Sequence, residues 1–217
     1  MQANLILSAP RPPLAFVGKP DDEVKLIGVT KSFNRDQQIY GEGEPADLVF
    51  KVVSGAVRCF RVLADGRRQI SEFYLPGDIF GVEAGLERRA SAEAVGDAIL
   101  VVSRRATLAI EDEDQGARFW RLAIAELQRS REHVLTLGRR AAGERVASFL
   151  MDLAERTGAS DEVELPMSRQ DIADYLGLTI ETVSRTLTQL QSQGLIEISS
   201  CRHVRLKNSH ALDDMRQ

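Results

Sequence analysis

Residues 168–190 constrain the fold of this chain most, because they have the pattern of two short helices with a glycine between them. Ser168 is suited to cap the first helix, with Asp171 three places on as its capping-box partner. Gly177 can adopt the left-handed backbone that often ends a helix, and Thr179 can cap the next helix. This order of caps predicts a helix-turn-helix.

The second of these helices has two chemically different faces. Val183, Leu187 and Leu190 recur at helical spacing and predict a buried stripe. The opposite face carries polar residues at the same spacing, namely Glu181, Ser184, Arg185 and Thr188. Arginine can donate to both O6 and N7 of guanine, and glutamate can accept from N4 of cytosine. The alternative is an ordinary solvated face, but these two residue types one turn apart favour a helix that reads DNA bases.

The segment after the reading helix predicts a β-wing. Residues 196–206, IEISSCRHVRL, contain two strand-like runs with a turn near residues 199–202. Basic side chains cluster there, and Arg169 lies in the first turn of the first helix, where a phosphate is attracted to the helix N-terminus as well. The residues that we expect to contact the DNA backbone are Ser168, Arg169, Thr179, Thr182, Thr188 and Arg202.

Composition limits the class of protein. A chain of 217 residues is long enough for two modest domains, and its net charge of -4 places any DNA footprint on a local surface. Its two cysteines are far apart, which predicts neither a zinc site nor a disulfide. No signal peptide or span of transmembrane length is evident, so we expect a cytoplasmic protein that is not in a membrane. Prolines in residues 1–23 predict a flexible N-terminal tail.

Residues 24–113 predict a small β-roll or barrel. Strand-like runs at residues 48–53, 56–63 and 69–75 are separated by glycine-containing turns, including residues 64–66. The histidines all lie beyond this region, at His133, His203 and His210. We therefore expect no metal, no catalytic residues and no enzyme activity.

A long helix is predicted at residues 114–140. Its apolar and small side chains alternate by three and four residues, which indicates a seam for a second helix. The seam consists of Trp120, Ala123, Leu127, Ser130, Val134 and Leu137. Packing against the β-roll of the same chain is the alternative, but a homodimer would present two reading helices to successive major grooves of a palindrome. Residues 141–217 then form the DNA-binding domain.

Together these segments resemble the CRP/FNR family of transcription regulators over nearly the whole chain after the tail. The resemblance implies an α+β fold with an N-terminal β-roll (a cyclic-nucleotide-binding-like jelly roll), a long dimerisation helix and a C-terminal winged helix-turn-helix. Residues 181–185, ETVSR, look like the E-x-x-S-R motif of the FNR and FixK branch. The cyclic AMP receptor branch would place arginine at Ile180 and glycine at Ser184, so a TTGAT-N4-ATCAA site is implied.

The resemblance also implies roles for the reading residues and a physiology. Arg185 would read guanine, Glu181 would contact the opposing cytosine or its neighbour, and Ser184 would discriminate at a thymine. FixK-like members activate genes of low-oxygen respiration and nitrogen fixation through RNA polymerase, and the turn at residues 64–68 is a candidate polymerase contact.

A ligand-switched regulator, responding to a cyclic nucleotide or heme, is the alternative function. Cyclic-nucleotide receptors have a glycine-glutamate pair and an arginine-serine pair where this chain has Gly81-Val82 and Arg89-Ala90. Arg89 could still bind a phosphate, and Glu83 or Ser91 could substitute with a shift of one residue, but no cofactor is expected. Two cysteines cannot hold the iron–sulfur cluster of FNR within a subunit.

The two cysteines have different expected roles. Cys201 lies in the predicted wing beside Arg202, where oxidation to a negatively charged acid would oppose DNA binding. An incidental wing cysteine is the alternative. Cys59 lies in a predicted strand and is expected to be a small buried hydrophobe.

Overall fold

The computed structural model describes residues 26–108, 113–139, 141–159 and 161–215. The predicted tail at residues 1–23 lies outside these described residues. The α+β architecture expected from the sequence is confirmed, with a β-roll followed by a long helix and a winged helix-turn-helix.

The β-roll consists of two antiparallel four-stranded sheets, ordered β1-β8-β3-β6 and β2-β7-β4-β5. Its strands are β1 (Val29–Phe33), β2 (Gln38–Tyr40), β3 (Leu48–Ser54), β4 (Val57–Val62), β5 (Arg68–Tyr74), β6 (Ile79–Phe80), β7 (Ser91–Ala94) and β8 (Ala98–Arg104). The expected hairpin joins β4 to β5, and Gly66 has a φ of 82° in its turn, a conformation that favours glycine.

Aromatic side chains fill the space between the two sheets. Phe80 stacks on Phe50 and on Tyr74, with ring centroids 5.1 and 4.9 Å apart. Tyr40 packs against the same group at 5.6 Å from Phe50. Cys59 is buried in this cluster, as expected, and burial raises the pKa of its thiol to about 11.

Helices and short strands make up the rest of the described chain. A short 3-10 helix (Arg105–Leu108) precedes α1 (Glu113–Arg139), and the winged domain follows it. Its elements are α2 (Ala142–Thr157), β9 (Glu162–Glu164), α3 (Arg169–Leu176), α4 (Ile180–Ser192), β10 (Ile196–Ser200), β11 (His203–Leu206) and α5 (Ser209–Asp214). The wing is a three-stranded sheet ordered β10-β11-β9, so β9 adds a strand that the sequence pattern did not predict.

The predicted caps form the helix-turn-helix. The Ser168 hydroxyl accepts a hydrogen bond from the Asp171 backbone N–H, and the Asp171 carboxylate accepts from the Ser168 N–H. Gly177 has a φ of 61° at the end of α3. Thr179 caps α4 by accepting from the Thr182 N–H at 3.2 Å. Local sequence therefore determines where both helices begin and where α3 ends.

One apolar cluster runs from the β-roll into the winged domain. Phe60, Ile70 and Phe73 of β4 and β5 belong to the same cluster as the buried residues of α2, α3 and α4. Phe73 lies 6.3 Å from Phe149 and 5.2 Å from Tyr175, measured between ring centroids. The roll and the winged domain are thus packed against each other.

Candidate nucleic-acid interface

Helix α4 has the two faces expected from its sequence. Val183, Leu187 and Leu190 are buried against the rest of the winged domain. Glu181, Ser184, Arg185 and Thr188 are exposed together on the other side. Three of these side chains supply complementary base-reading chemistry from one helix face, since Arg185 donates, Glu181 accepts and the Ser184 hydroxyl does both.

The ionised form of Glu181 is favoured at the start of α4. Its own backbone N–H and the Thr179 hydroxyl hydrogen-bond the carboxylate and lower its pKa. A carboxylate at this position is an acceptor only, so it suits the amino group of cytosine.

The three threonines predicted to contact the DNA backbone are already engaged in local hydrogen bonds. The hydroxyl groups of Thr179 and Thr182 lie 3.1 Å apart. The Thr188 hydroxyl donates to the Ser184 carbonyl oxygen at 3.1 Å. A phosphate oxygen only accepts, so Thr188 must give up this bond to donate to DNA.

The N-terminus of α3 presents Ser168 and Arg169 differently. Ser168 is exposed, and its hydroxyl donates to the Asp171 carboxylate at 2.7 Å. Arg169 is half-buried, and burial lowers its pKa. Its Nη1 atom is buried without a hydrogen-bond partner among the described residues.

The wing places Cys201 and Arg202 at its exposed tip, in the turn between β10 and β11. Further along the wing, Arg205 and Lys207 both lie beside Glu197, at 3.8 and 3.3 Å. Since exposed pairs of this kind are weak, Arg205 and Lys207 remain free to exchange Glu197 for a phosphate.

The predicted seam on α1 is largely an exposed apolar strip. Trp120 and Val134 are 67% and 64% exposed, Leu127 is 46% exposed, and Ser130 lies between them. Ala123 is half-buried. Leu137 departs from the strip because its Cδ2 atom lies against the turn at Gly177, 3.6 Å from where a Cβ on that glycine would stand.

The β-roll buries an arginine that sequence reasoning missed. Arg88 is 3% exposed; its guanidinium donates to the carbonyl oxygens of Gly81 and Leu48 and lies 4.2 Å from the centre of the Tyr40 ring. Arg89, the alternative candidate for a phosphate contact, is exposed instead. The signal was weak because two adjacent arginines look equivalent in sequence.

The described residues contain neither a candidate metal centre nor a helix that could span a membrane. No group of three or more His, Cys, Asp or Glu side chains in this part of the chain is arranged to hold a metal ion. Among the described helices, none combines the length and the apolar character needed to cross a bilayer.

Comparison with known proteins places both halves of the chain in described families. The model for the cyclic nucleotide-binding domain matches residues 30–110, and the model for the Crp-like helix-turn-helix domain matches residues 144–215.

Similar whole proteins are regulators. The chain is 50% identical over 202 residues to the nitrogen fixation regulation protein FixK of Azorhizobium caulinodans, covering 89% of this chain and 82% of the relative. It is 41% identical over 184 residues to the transcriptional activatory protein AadR of Rhodopseudomonas palustris, covering 82% and 77%. The structure of FixK2 from Bradyrhizobium japonicum matches with a TM-score of 0.83 and 44% identity, covering 88% of this chain and 98% of that one.

Proposed function

The chain belongs to the CRP/FNR family of transcription regulators, in its FixK-like branch, and we propose that it activates genes of low-oxygen respiration or nitrogen fixation. The observation that carries this proposal is the exposed face of α4, where Glu181, Ser184 and Arg185 stand opposite a buried apolar stripe. Similarity to relatives named as nitrogen fixation regulators and as an activatory protein supports the physiological part. Its site of action is the cytoplasm, where the DNA lies.

The DNA-bound form is a homodimer. Apolar side chains as large as Trp120 and Val134 rarely stand exposed in a contiguous strip on a monomer, which supports α1 as the contact. A two-fold dimer presents its two α4 helices to half-sites about one helical turn apart, about 34 Å. The operator is then a TTGAT-N4-ATCAA palindrome, and RNA polymerase is contacted by exposed residues such as those of the β4–β5 turn.

DNA binding proceeds without an added effector. The interior of the β-roll is occupied by stacked aromatic side chains, and the guanidinium of Arg88 is already bonded to the backbone of Gly81 and Leu48. These side chains supply inside the roll the packing and the charge that a nucleotide would otherwise contribute.

Fluorescence anisotropy with purified, reduced protein tests the proposal. Tight binding is expected to a TTGAT-N4-ATCAA duplex, with weaker binding to a TGTGA-type duplex. Arg185→Ala should weaken binding by about 1–3 kcal/mol per half-site, or about 5- to 150-fold, and should abolish the preference for guanine at the third position.

The matched control is Arg61→Ala, which removes another exposed arginine, one that lies in β4 and pairs with Glu42 at 2.8 Å. This variant should bind both duplexes as the unmodified protein does. An Arg185→Ala protein that still distinguishes TTGAT from TTAAT would contradict the assigned role of Arg185. Failure of the unmodified protein to prefer TTGAT would contradict the proposed operator.

A further inference from the structure

Two arginines of the β-roll reach the first helix of the helix-turn-helix. Arg58 of β4 lies 3.2 Å from the Asp171 carboxylate, and Arg68 of β5 lies 2.6 Å from the same oxygen. Arg68 also donates through Nε to Asp174 at 2.9 Å, and Gln69 donates to the Asp174 carbonyl oxygen at 2.7 Å. We call these five residues the docking face.

The charged groups of the docking face are shielded from water. The side chains of Arg58 and Asp171 are 7% and 5% exposed, and that of Asp174 is 14% exposed. Arg58 also pairs with Glu93 and Asp36 of the roll, at 2.6 and 2.9 Å, so its charge is compensated there as well as by Asp171. Loss of Arg68 removes the arginine that pairs with the largely buried Asp174 carboxylate at 2.8 Å, which is unfavourable. An arginine that bonds two carboxylates through different nitrogens also fixes direction, because its donors form a rigid fork. The docking face therefore favours one orientation of α3 on the roll.

The orientation of α3 is passed to the reading helix. Asp171, which accepts from both arginines, is also the capping partner of Ser168. Ile172 and Leu176 of α3 share a buried core with the buried stripe of α4. The two helices consequently move as one unit, and a rotation of α3 on the roll rotates α4.

The β-roll is in turn tied to the dimerisation helix. The Tyr74 hydroxyl donates to Glu126 of α1 at 2.9 Å. Arg156 of α2 donates to the Phe73 carbonyl oxygen at 2.6 Å and to Asp78 at 2.7 Å. Direct contacts therefore run from α1 through the roll to α3 and α4.

We infer that Arg58, Arg68 and Asp174 are positioning residues that determine which half-site spacing the dimer accepts, while the exposed face of α4 determines which bases it reads. This inference rests on the proposed function. Each base pair added between half-sites moves the second one by about 3.4 Å and turns it by about 35°. Two winged domains that are firmly docked on their β-rolls cannot move to reach a displaced half-site, whereas two loosely docked winged domains can.

The experiment compares half-site spacing in variants of the docking face. Dissociation constants are measured by anisotropy for TTGAT and ATCAA half-sites separated by four, five and six base pairs. The unmodified protein should prefer four. Arg68→Met, which keeps the aliphatic length but not the charge, should reduce the preference for four over six by about tenfold, equivalent to about 1.4 kcal/mol. Its discrimination of TTGAT from TTAAT should be unchanged.

Asp174→Asn is the milder variant if Arg68→Met does not fold, as judged by circular dichroism. Arg61→Ala is the matched control, because this exposed arginine lies on the same strand pair outside the docking face. The double variant Arg68→Met with Asp174→Asn should reduce the preference for four over six base pairs by less than the sum of the two single effects, since both substitutions act on one contact. Folded variants that keep the full preference for four base pairs would overturn the inference.

A measurement without DNA separates this inference from the operator proposal. Spin labels at Leu63→Cys in the roll and Gln191→Cys in α4, in a Cys201→Ser background, report the distance between the two domains. One labelled protomer per dimer keeps the distance intramolecular. Arg68→Met should broaden the distance distribution, and Arg61→Ala should not. If Arg68→Met does not broaden the distribution, the inference is overturned, whatever DNA sequence the protein prefers. If the distribution broadens but the protein shows no preference for TTGAT, only the proposed operator is overturned.

Discussion

Glu72 of β5 is a buried carboxyl group whose ionisation opposes folding. It is 7% exposed; its Oε1 atom lies 3.4 Å from Arg156 and accepts from the Phe73 N–H at 3.1 Å. Burial raises the pKa of Glu72 from 4.5 to about 7, and the positive charges of Arg156 and Arg129 offset only part of that effect. Replacing Glu72 by glutamine keeps the side-chain volume and one oxygen that can accept from the Phe73 N–H, but it removes the titration.

The sign and size of the effect follow from linkage. Between pH 4.5 and 7 the folded protein holds a proton on Glu72 that the unfolded chain has released. The free energy of unfolding therefore falls as pH rises through this window, and each pKa unit corresponds to about 1.4 kcal/mol. The total loss is about 3 kcal/mol. Because Glu72→Gln does not undergo this loss, its stability relative to the unmodified protein should rise by about 3 kcal/mol between pH 4.5 and pH 8.

Urea unfolding at a series of pH values, at one protein concentration, measures this difference. The control is Glu42→Gln, which removes an exposed carboxylate paired with Arg61 and should change stability by less than about 1 kcal/mol at any pH. A difference between Glu72→Gln and the unmodified protein that does not vary with pH would refute the reasoning. So would a difference of the opposite sign, which would mean that Arg156 stabilises the ionised carboxylate more than burial disfavours it.

Two further predictions concern α1. His133 stacks on Tyr175 with ring centroids 3.9 Å apart, and burial lowers its pKa from 6.5 to about 4. The free energy of unfolding should therefore decrease as pH falls from 6.5 to 4, because the unfolded chain takes up a proton on His133 before the folded protein does. His133→Phe should abolish this part of the pH dependence in the same urea series. An unchanged acid-side loss in the variant would contradict this. Leu127→Ser removes an apolar side chain from the exposed strip and should shift sedimentation velocity profiles towards monomer. Arg131→Ser, which changes an exposed residue on the same helix, is the control. A dimer that is equally stable after Leu127→Ser would contradict the assigned interface.

The helix-turn-helix was predictable because its signals are local. Ser168 and Asp171 are three residues apart, and Gly177 and Thr179 lie within the same short segment, so their hydrogen bonds do not depend on the rest of the fold. The periodicity of α4 likewise depends only on the helix itself. These features identify the proposed base-reading face before any tertiary contact is known.

The interior of the β-roll was predictable in outline and not in detail. Glycine turns and strand-like runs indicate β3, β4 and β5, because alternation and turn chemistry are local as well. Which of Arg88 and Arg89 points inward depends on the register of the loop before β7, and that register is determined by distant groups. The Arg88 guanidinium donates a hydrogen bond to the carbonyl oxygen of Leu48, which lies 40 residues away in the sequence.

The docking face illustrates why the proposed determinants of half-site spacing are harder to predict from sequence than the proposed base-reading face. In β4, Arg58 stands between Val57 and Cys59, which point into the roll, so the alternation predicts an outward and solvated arginine. The side chain does point outward from the roll, but the winged domain covers it, and its partner Asp171 is 113 residues away. Arg58 and Asp171 each resemble an ordinary surface charge until the two domains meet. A property carried by one helix, such as base reading, can therefore be read from that helix, whereas a property carried by the relation between domains requires the assembled structure.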